Sequence, residues 1–96
     1  MKRDEILNMP AGREMDEQVG YIVYPDAKKR GFIICPKYST DIKDAWEVLE
    51  KLNLTDFTIE KAGAHYCVNL TIESACAETA PLAICRAALL AVDVQC

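Results

Sequence analysis

The residues of this chain best suited to metal binding or nucleophilic chemistry are His65, Cys67 and Cys76, which lie close together in sequence. Structural zinc sites pair their ligands at spacings such as C-x2-4-C or H-x3-5-H, and no such pair occurs here. His65 and Cys67 could share one face of a strand, but no third group that would orient the histidine is identifiable. We therefore predict no metal site, no cofactor and no catalytic residue. A zinc site built from His65 and remote cysteines is the alternative.

The five cysteines are an odd number at scattered positions: 35, 67, 76, 85 and 96. Two of them lie in apolar runs, which is typical of buried free thiols in a reducing compartment. We expect all five to be reduced, and we expect a cytoplasmic location. Cys85 should be protected from thiol reagents until the protein unfolds, and Cys96, near a frayed chain end, should react first.

A cationic run, Lys28, Lys29 and Arg30, lies in a loop between a proline and a glycine. It could contact a phosphate backbone, although three charges at the tip of a hairpin are usually just solvated. The chain has 11 basic and 15 acidic side chains and a net charge of −4, which argues against a general nucleic-acid binder. The four glycines are isolated from one another, so no phosphate-binding loop is predicted.

Arg86 is the charged residue whose burial would cost most, because apolar residues flank it. Its guanidinium should reach solvent or pair with a carboxylate, and Glu78 and Asp93 are the candidates nearest in sequence. An anion-binding role is the alternative interpretation.

Residues 79–92 predict a helix around which the other elements must be arranged. Thr79 can cap it, a proline suits its first turn, and alanine and leucine dominate the rest. Because this helix is apolar nearly all round, it must be covered on more than one face. Leu82 and Leu89 flank Arg86, and they need a cover of their own. Either the N-terminal helix provides it, or a second copy of the chain does so in a homodimer.

The N-terminal part of the chain also predicts helix. Residues 3–23 favour a short first turn, followed by a helix that begins near Pro10 and ends near Gly20 or Tyr21. Residues 21–24 are equally acceptable as a strand, because they are β-branched and aromatic.

Residues 39–52 predict an amphipathic helix. Ser39 or Thr40 can cap it, and two aspartates favour its positive end. We predict one buried stripe with Trp46 as its core anchor. The stripe consists of Ile42, Ala45, Trp46, Leu49 and Leu52.

Alternating and short apolar runs predict strands. Residues 32–35 form a short apolar run, and residues 56–61 and 66–73 alternate between polar and apolar side chains. Residues 62–65 have the length of a hairpin loop, and residues 74–78 are predicted to be a loop that leads into the last helix.

Length and composition fit a single domain, residues 1–96, and 51% of its side chains are hydrophobic. Three helical stripes and the alternation in residues 57–72 predict an α+β fold with about three antiparallel strands and helices on both faces of the sheet. No segment approaches the roughly 18–20 continuous apolar residues of a membrane span. The first residues lack the pattern of a signal peptide.

Three segments carry a resemblance to a known family. RDEILNMPAGREMD lies near the start, YSTDIKDAWEVLEKL in the middle and ETAPLAICRAALLAV at the end. In this order they resemble the phage ABA sandwich domain, a family of small bacteriophage and prophage proteins of Gram-positive bacteria. The resemblance implies an α/β/α sandwich and an intracellular phage accessory protein. It implies no enzymatic activity, cofactor or catalytic residue.

We therefore expect a non-enzymatic protein-interaction or assembly module, because the last helix offers more apolar surface than one sheet can cover. The alternative is a nucleic-acid-associated phage accessory factor that uses the cationic loop, and an enzyme ranks third. The protein partner itself cannot be named from the sequence. The residues expected to contribute to an interaction are Leu82, Arg86, Leu89, Lys28, Lys29 and Arg30.

Overall fold

Four helices and three strands follow one another in the computed structural model, which describes residues 3–24, 36–52, 56–70 and 73–95. The strands form one antiparallel sheet in the order β1-β2-β3. The α+β class with three antiparallel strands is therefore confirmed. The helices are α1 (Arg3–Asn8), α2 (Arg13–Val23), α3 (Ile42–Lys51) and α4 (Ala80–Gln95), and the strands are β1 (Phe57–Ala62), β2 (His65–Leu70) and β3 (Ser74–Ala77).

Helix α4 lies at the centre of the fold. It packs against β2 and β3, and also against α1, α2 and α3. The prediction that this helix is covered on more than one face is confirmed, and the cover comes from its own chain. Its side chains that are no more than 7% exposed are Leu82, Ala83, Ile84, Cys85, Ala87, Ala88, Leu89, Leu90 and Ala91.

The start of α4 follows from its local sequence. The side-chain oxygen of Thr79 accepts a hydrogen bond from the N–H of Leu82 (3.4 Å), which is the predicted cap. Pro81 lies in the first turn, where its missing N–H costs nothing. The alanines that follow favour helix and let neighbouring elements approach closely.

The β1–β2 hairpin forms where the alternation predicted it. Ile59 lies opposite Val68 and Phe57 lies opposite Leu70, so these four side chains share the face that meets α4. Val68 is fully buried on that face. The turn contains Gly63 at φ 63°, a left-handed conformation that glycine adopts without steric strain.

The prediction of a loop at residues 74–78 is wrong, because residues 74–77 form β3. Ala75 pairs with Val68 and Ala77 pairs with Tyr66, and both alanines are buried. This strand alternates exposed and buried positions, but its buried side chains are only alanines. Such small side chains give little strand signal, so pairing with β2 and burial under α4 decide the conformation.

One face of the sheet packs on α4, and it carries Val68, Ala75 and Ala77, which are all buried. The opposite face is exposed or half-buried. It carries Thr58, Glu60, Cys67, Asn69, Ser74 and Cys76.

Helix α3 is rotated relative to its predicted orientation. Ala45, Val48 and Leu49 are buried, whereas Ile42 is 48% exposed and Trp46 is 45% exposed. The prediction that Trp46 is a core anchor is therefore wrong. The positions spaced by three and four residues define one broad apolar stripe, and α4 covers only the part of it centred on Leu49.

This exposure changes the expected effect of removing the tryptophan. Trp46→Ala should lower the free energy of unfolding by only about 1–2 kcal/mol, because the main loss is an edge-to-face contact with Phe57 (ring centroids 5.4 Å apart). Leu49→Ala, the matched control on the buried side of α3, should cost about 2–5 kcal/mol. Urea unfolding of both variants measures the difference. If Trp46→Ala lowers the free energy of unfolding by 3 kcal/mol or more (roughly the cost of truncating a buried aromatic), Trp46 is a core residue after all.

The two N-terminal helices agree with the predicted break near Pro10. Helix α2 continues to Val23, so the alternative of a strand at residues 21–24 is excluded. The predicted strand at residues 32–35 and the cationic run at residues 28–30 lie outside the described residues. Within the described ranges, no helix is both long enough and apolar enough to cross a membrane.

Candidate docking groove

A groove of about 580 Å³ opens where the first turns of α3 and α4 meet the N-terminal end of β2. Apolar and small side chains dominate its lining, and Glu78 is its one carboxylate. Neither histidine nor cysteine lines it. The lining residues are Ala11, Ser39, Thr40, Ile42, Tyr66, Glu78, Thr79, Ala80 and Pro81.

A buried polar cluster holds two walls of the groove together. Ser39 donates from its hydroxyl (2.7 Å) and from its main-chain N–H (2.8 Å) to Oδ1 of Asp16. The N–H of Gly12 donates to the Ser39 hydroxyl oxygen (2.9 Å). Asp16 is 8% exposed and Ser39 is 1% exposed, so these bonds satisfy polar groups of two buried residues. They fix the turn before α3 against the segment before α2.

The start of α3 is held by a different residue from those predicted. Asp41 is the N-cap, and its side chain accepts from the N–H of Lys43 (2.9 Å). Asp44 accepts from the N–H of Lys37 (2.9 Å), which fixes the chain just before the turn. Ser39 does not cap α3, because its hydroxyl is bonded to Asp16 and Gly12.

An exposed apolar strip extends from the groove along α3. Ile42 lines the groove, and Trp46 lies one helical turn further on, on the same side of α3. The Trp46 ring packs edge-on against Phe57, which limits its freedom to move while much of its surface stays open. We call Ile42 and Trp46 together the α3 strip.

Arg86 is half-buried, and its guanidinium bonds to main-chain carbonyls. Its Nη1 donates to the oxygen of Cys76 (3.1 Å) and its Nη2 donates to the oxygen of Met9 (3.0 Å). Its Nε is buried without a hydrogen-bond partner. The expected partner of the Arg86 guanidinium was a carboxylate or solvent. The observed bonds instead connect α4 to β3 and to the segment after α1. Arg86 does not line the groove.

The other predicted interaction residues do not form a surface with Arg86. Leu82 is 7% exposed and Leu89 is 6% exposed, so both lie in the core of the chain itself. Helices α1 and α2 both pack on α4, which favours the predicted cover by the N-terminal helix. Lys28, Lys29 and Arg30 lie outside the described residues.

The structure brings Cys67 and Cys76 together as a disulfide, so the prediction of five reduced cysteines is wrong for this pair. The two residues lie directly opposite each other in the β2–β3 register, with Cα atoms 4.0 Å apart. This pairing was not expected, because residues 74–78 were predicted to be a loop and not a strand beside β2. His65 is exposed at the start of β2, and no group of three or more metal-binding side chains occurs in the described part of the chain.

Cys85 is a buried free thiol, as predicted. Burial raises the pKa of the Cys85 thiol, and the negative charge of Asp16 raises it further. Since the thiolate is the reactive form, Cys85 should react with a thiol reagent at pH 8 only after denaturant is added. The unfolded thiol ionises above its ordinary pKa of 9.0 while the folded one keeps its proton, so Cys85 should also lower stability above that pH. Labelling of Cys85 in the native protein would contradict its placement.

Comparison with known protein families identifies the domain. A model of the phage ABA sandwich domain matches residues 11–89. The chain belongs to the phage ABA sandwich domain family. No curated protein and no solved structure matches it significantly.

The match to the phage ABA sandwich domain includes every residue that lines the groove, from Ala11 to Pro81. It leaves out α1 and the end of α4 after residue 89. The family therefore establishes a phage protein with an α+β sandwich fold, and the groove is formed by the part of the chain that defines the family.

Proposed function

We propose that this phage protein is a non-enzymatic protein-interaction or assembly module, and that a partner protein docks in the groove and on the α3 strip. The observation that carries the proposal is the exposure of Ile42 and Trp46 beside a groove with a largely apolar lining. Large apolar side chains that border a concave surface are typical of protein interfaces, and tryptophan is often the residue that contributes most to binding.

The charges near the groove indicate the chemistry of the partner. Glu78 is the one charged residue among those that line the groove, and the chain carries a net charge of −4. A partner segment with apolar side chains next to a lysine or arginine complements this surface. Glu78→Gln should then weaken binding, and the effect should shrink at high salt.

The test compares three versions of the protein as baits in infected or lysogenic bacterial cells. Wild type and Glu60→Ser, a control on the open face of the sheet, should retain the same partner, and Trp46→Ser should lose it. With the purified partner, Trp46→Ser should raise the dissociation constant about thirtyfold, the effect of losing about 2 kcal/mol of binding free energy. Equal affinity of Trp46→Ser and wild type would overturn the proposed surface.

The alternative is a nucleic-acid-associated accessory factor, supported by the cationic run Lys28, Lys29 and Arg30. A gel shift with phage DNA that disappears at high salt and in a triple glutamine variant of this run would favour it.

Sizing at several concentrations tests for a homodimer. Because Leu82 and Leu89 are buried in their own chain, a homodimer would have to use another surface, such as the α3 strip. We further propose that the protein acts in the host cytoplasm.

A further inference from the structure

We propose that Cys67 and Cys76 form a thiol–disulfide exchange site that opens and closes in the folded protein, with dithiols as the reacting class of molecule. The pair lies on the open face of the sheet, away from the groove. Cys76 is exposed on the edge strand β3, and Cys67 is half-buried on the central strand. A reductant therefore reaches the bridge without any separation of the helices from the sheet.

The surroundings of the pair leave this approach open. Glu60 lies opposite Cys67 on β1, so Glu60, Cys67 and Cys76 form a row across the three strands. Ser74 is exposed and Asn69 is half-buried on the same face. All these positions lie on the face of the sheet opposite Val68, the buried residue of β2 that faces α4.

The core does not depend on the bridge for its cover. Ala75 and Ala77, which flank Cys76, are buried on the other face at 4% and 2% exposure. The guanidinium of Arg86 holds the main-chain oxygen of Cys76, and not its side chain. These contacts remain when the sulfur–sulfur bond is absent, so β3 can keep its place in the reduced protein.

The exchange reaction balances with a dithiol alone. A thiolate of the dithiol attacks Sγ of Cys76, the more exposed residue, and the bond between the two cysteines breaks. Cys67 leaves as a thiolate and takes up a proton. The second thiol of the reagent then attacks the mixed disulfide, releases Cys76 as a thiol and leaves the reagent as a cyclic disulfide. Two electrons pass from the dithiol to the protein, and the reverse reaction re-forms the bridge.

The test uses the full chain, native conditions and dithiothreitol as the probe. After purification without reductant, iodoacetamide should label neither Cys67 nor Cys76. After native reduction, it should label both, at least about tenfold faster than it labels Cys85, because the thiolate of Cys85 is suppressed by burial. Cleavage after Glu73 and Glu78 separates the three cysteines into different peptides for mass spectrometry. Circular dichroism should show that the reduced protein keeps its fold, and oxidised dithiothreitol should restore the bridge.

Two results would overturn the proposal. One is a bridge that dithiothreitol reduces only in denaturant, which would make it a purely structural disulfide. The other is free thiols at Cys67 and Cys76 even after incubation with oxidised dithiothreitol. The variants Cys67→Ser and Cys76→Ser provide the matched check, because in each the remaining cysteine should be labelled without any reductant.

Discussion

Leu89→Glu should unfold the protein. Leu89 is 6% exposed on the central helix, so the substitution either buries an unpaired carboxylate or forces α4 away from its neighbours. Burial of an uncompensated charge costs several kcal/mol, and domains of this size have only about 5–15 kcal/mol of stability in total. Circular dichroism and size-exclusion chromatography should show loss of the cooperative unfolding transition and an expanded or aggregated chain.

The matched control places the same charge on an exposed helix position. Ile42→Glu changes a side chain that is 48% exposed, so its free energy of unfolding should stay within about 1 kcal/mol of wild type. A folded Leu89→Glu variant of wild-type size would contradict the central position of α4. A folded variant that is smaller than an oligomeric wild type would place Leu89 at an interface between copies.

Asp16→Ala should also destabilise the protein strongly. Two donors of Ser39, its hydroxyl and its main-chain N–H, bond to the same oxygen of Asp16, and both residues are buried. Removal of that oxygen leaves the main-chain N–H unsatisfied and leaves the hydroxyl only its longer bond to the main-chain oxygen of Gly12 (3.3 Å), at a cost of about 2–4 kcal/mol. The loss should appear as a lower midpoint in urea with an unchanged dependence on urea concentration.

A double-mutant cycle separates the polar contact from simple loss of packing. Ser39→Ala removes one of the two donors, so in that background Asp16→Ala should cost less than it does alone. If the two single effects add without coupling, Asp16 and Ser39 do not act as a unit. A stabilising Asp16→Ala would mean that the cost of burying this carboxyl group exceeds the benefit of its hydrogen bonds.

Composition and caps were enough to predict the central helix. A threonine cap, an early proline and a run of alanine and leucine all favour helix locally, and the absence of a polar face requires burial on several sides. The β1–β2 hairpin was equally predictable, because its polar and apolar side chains alternate with the period of a strand. The three matched segments also led to the family that the comparison confirmed.

The errors have a common physical cause, which is that neighbours decide what a local pattern leaves open. Trp46 belongs to the apolar stripe of α3, but only the position of α4 determines that the stripe is buried at Leu49 and open at Trp46. Strand β3 has small side chains, and its pairing with β2 is what brings Cys76 opposite Cys67. The groove unites residues from four separate stretches of the chain, so no single motif could have indicated it.

The central position of α4 also sets the order in which the protein can form. During synthesis, α1, α2, α3 and the three strands are all made before α4. The three helices, β2 and β3 pack directly on that helix. Until α4 is available, the surfaces that it covers can meet only each other or other proteins, a condition that promotes aggregation. The hairpin can form early because its contacts are local, whereas contacts between α4 and α1 join residues far apart in sequence. Folding of this domain is thus completed late in its synthesis, when its most apolar helix closes a core that the preceding elements leave open.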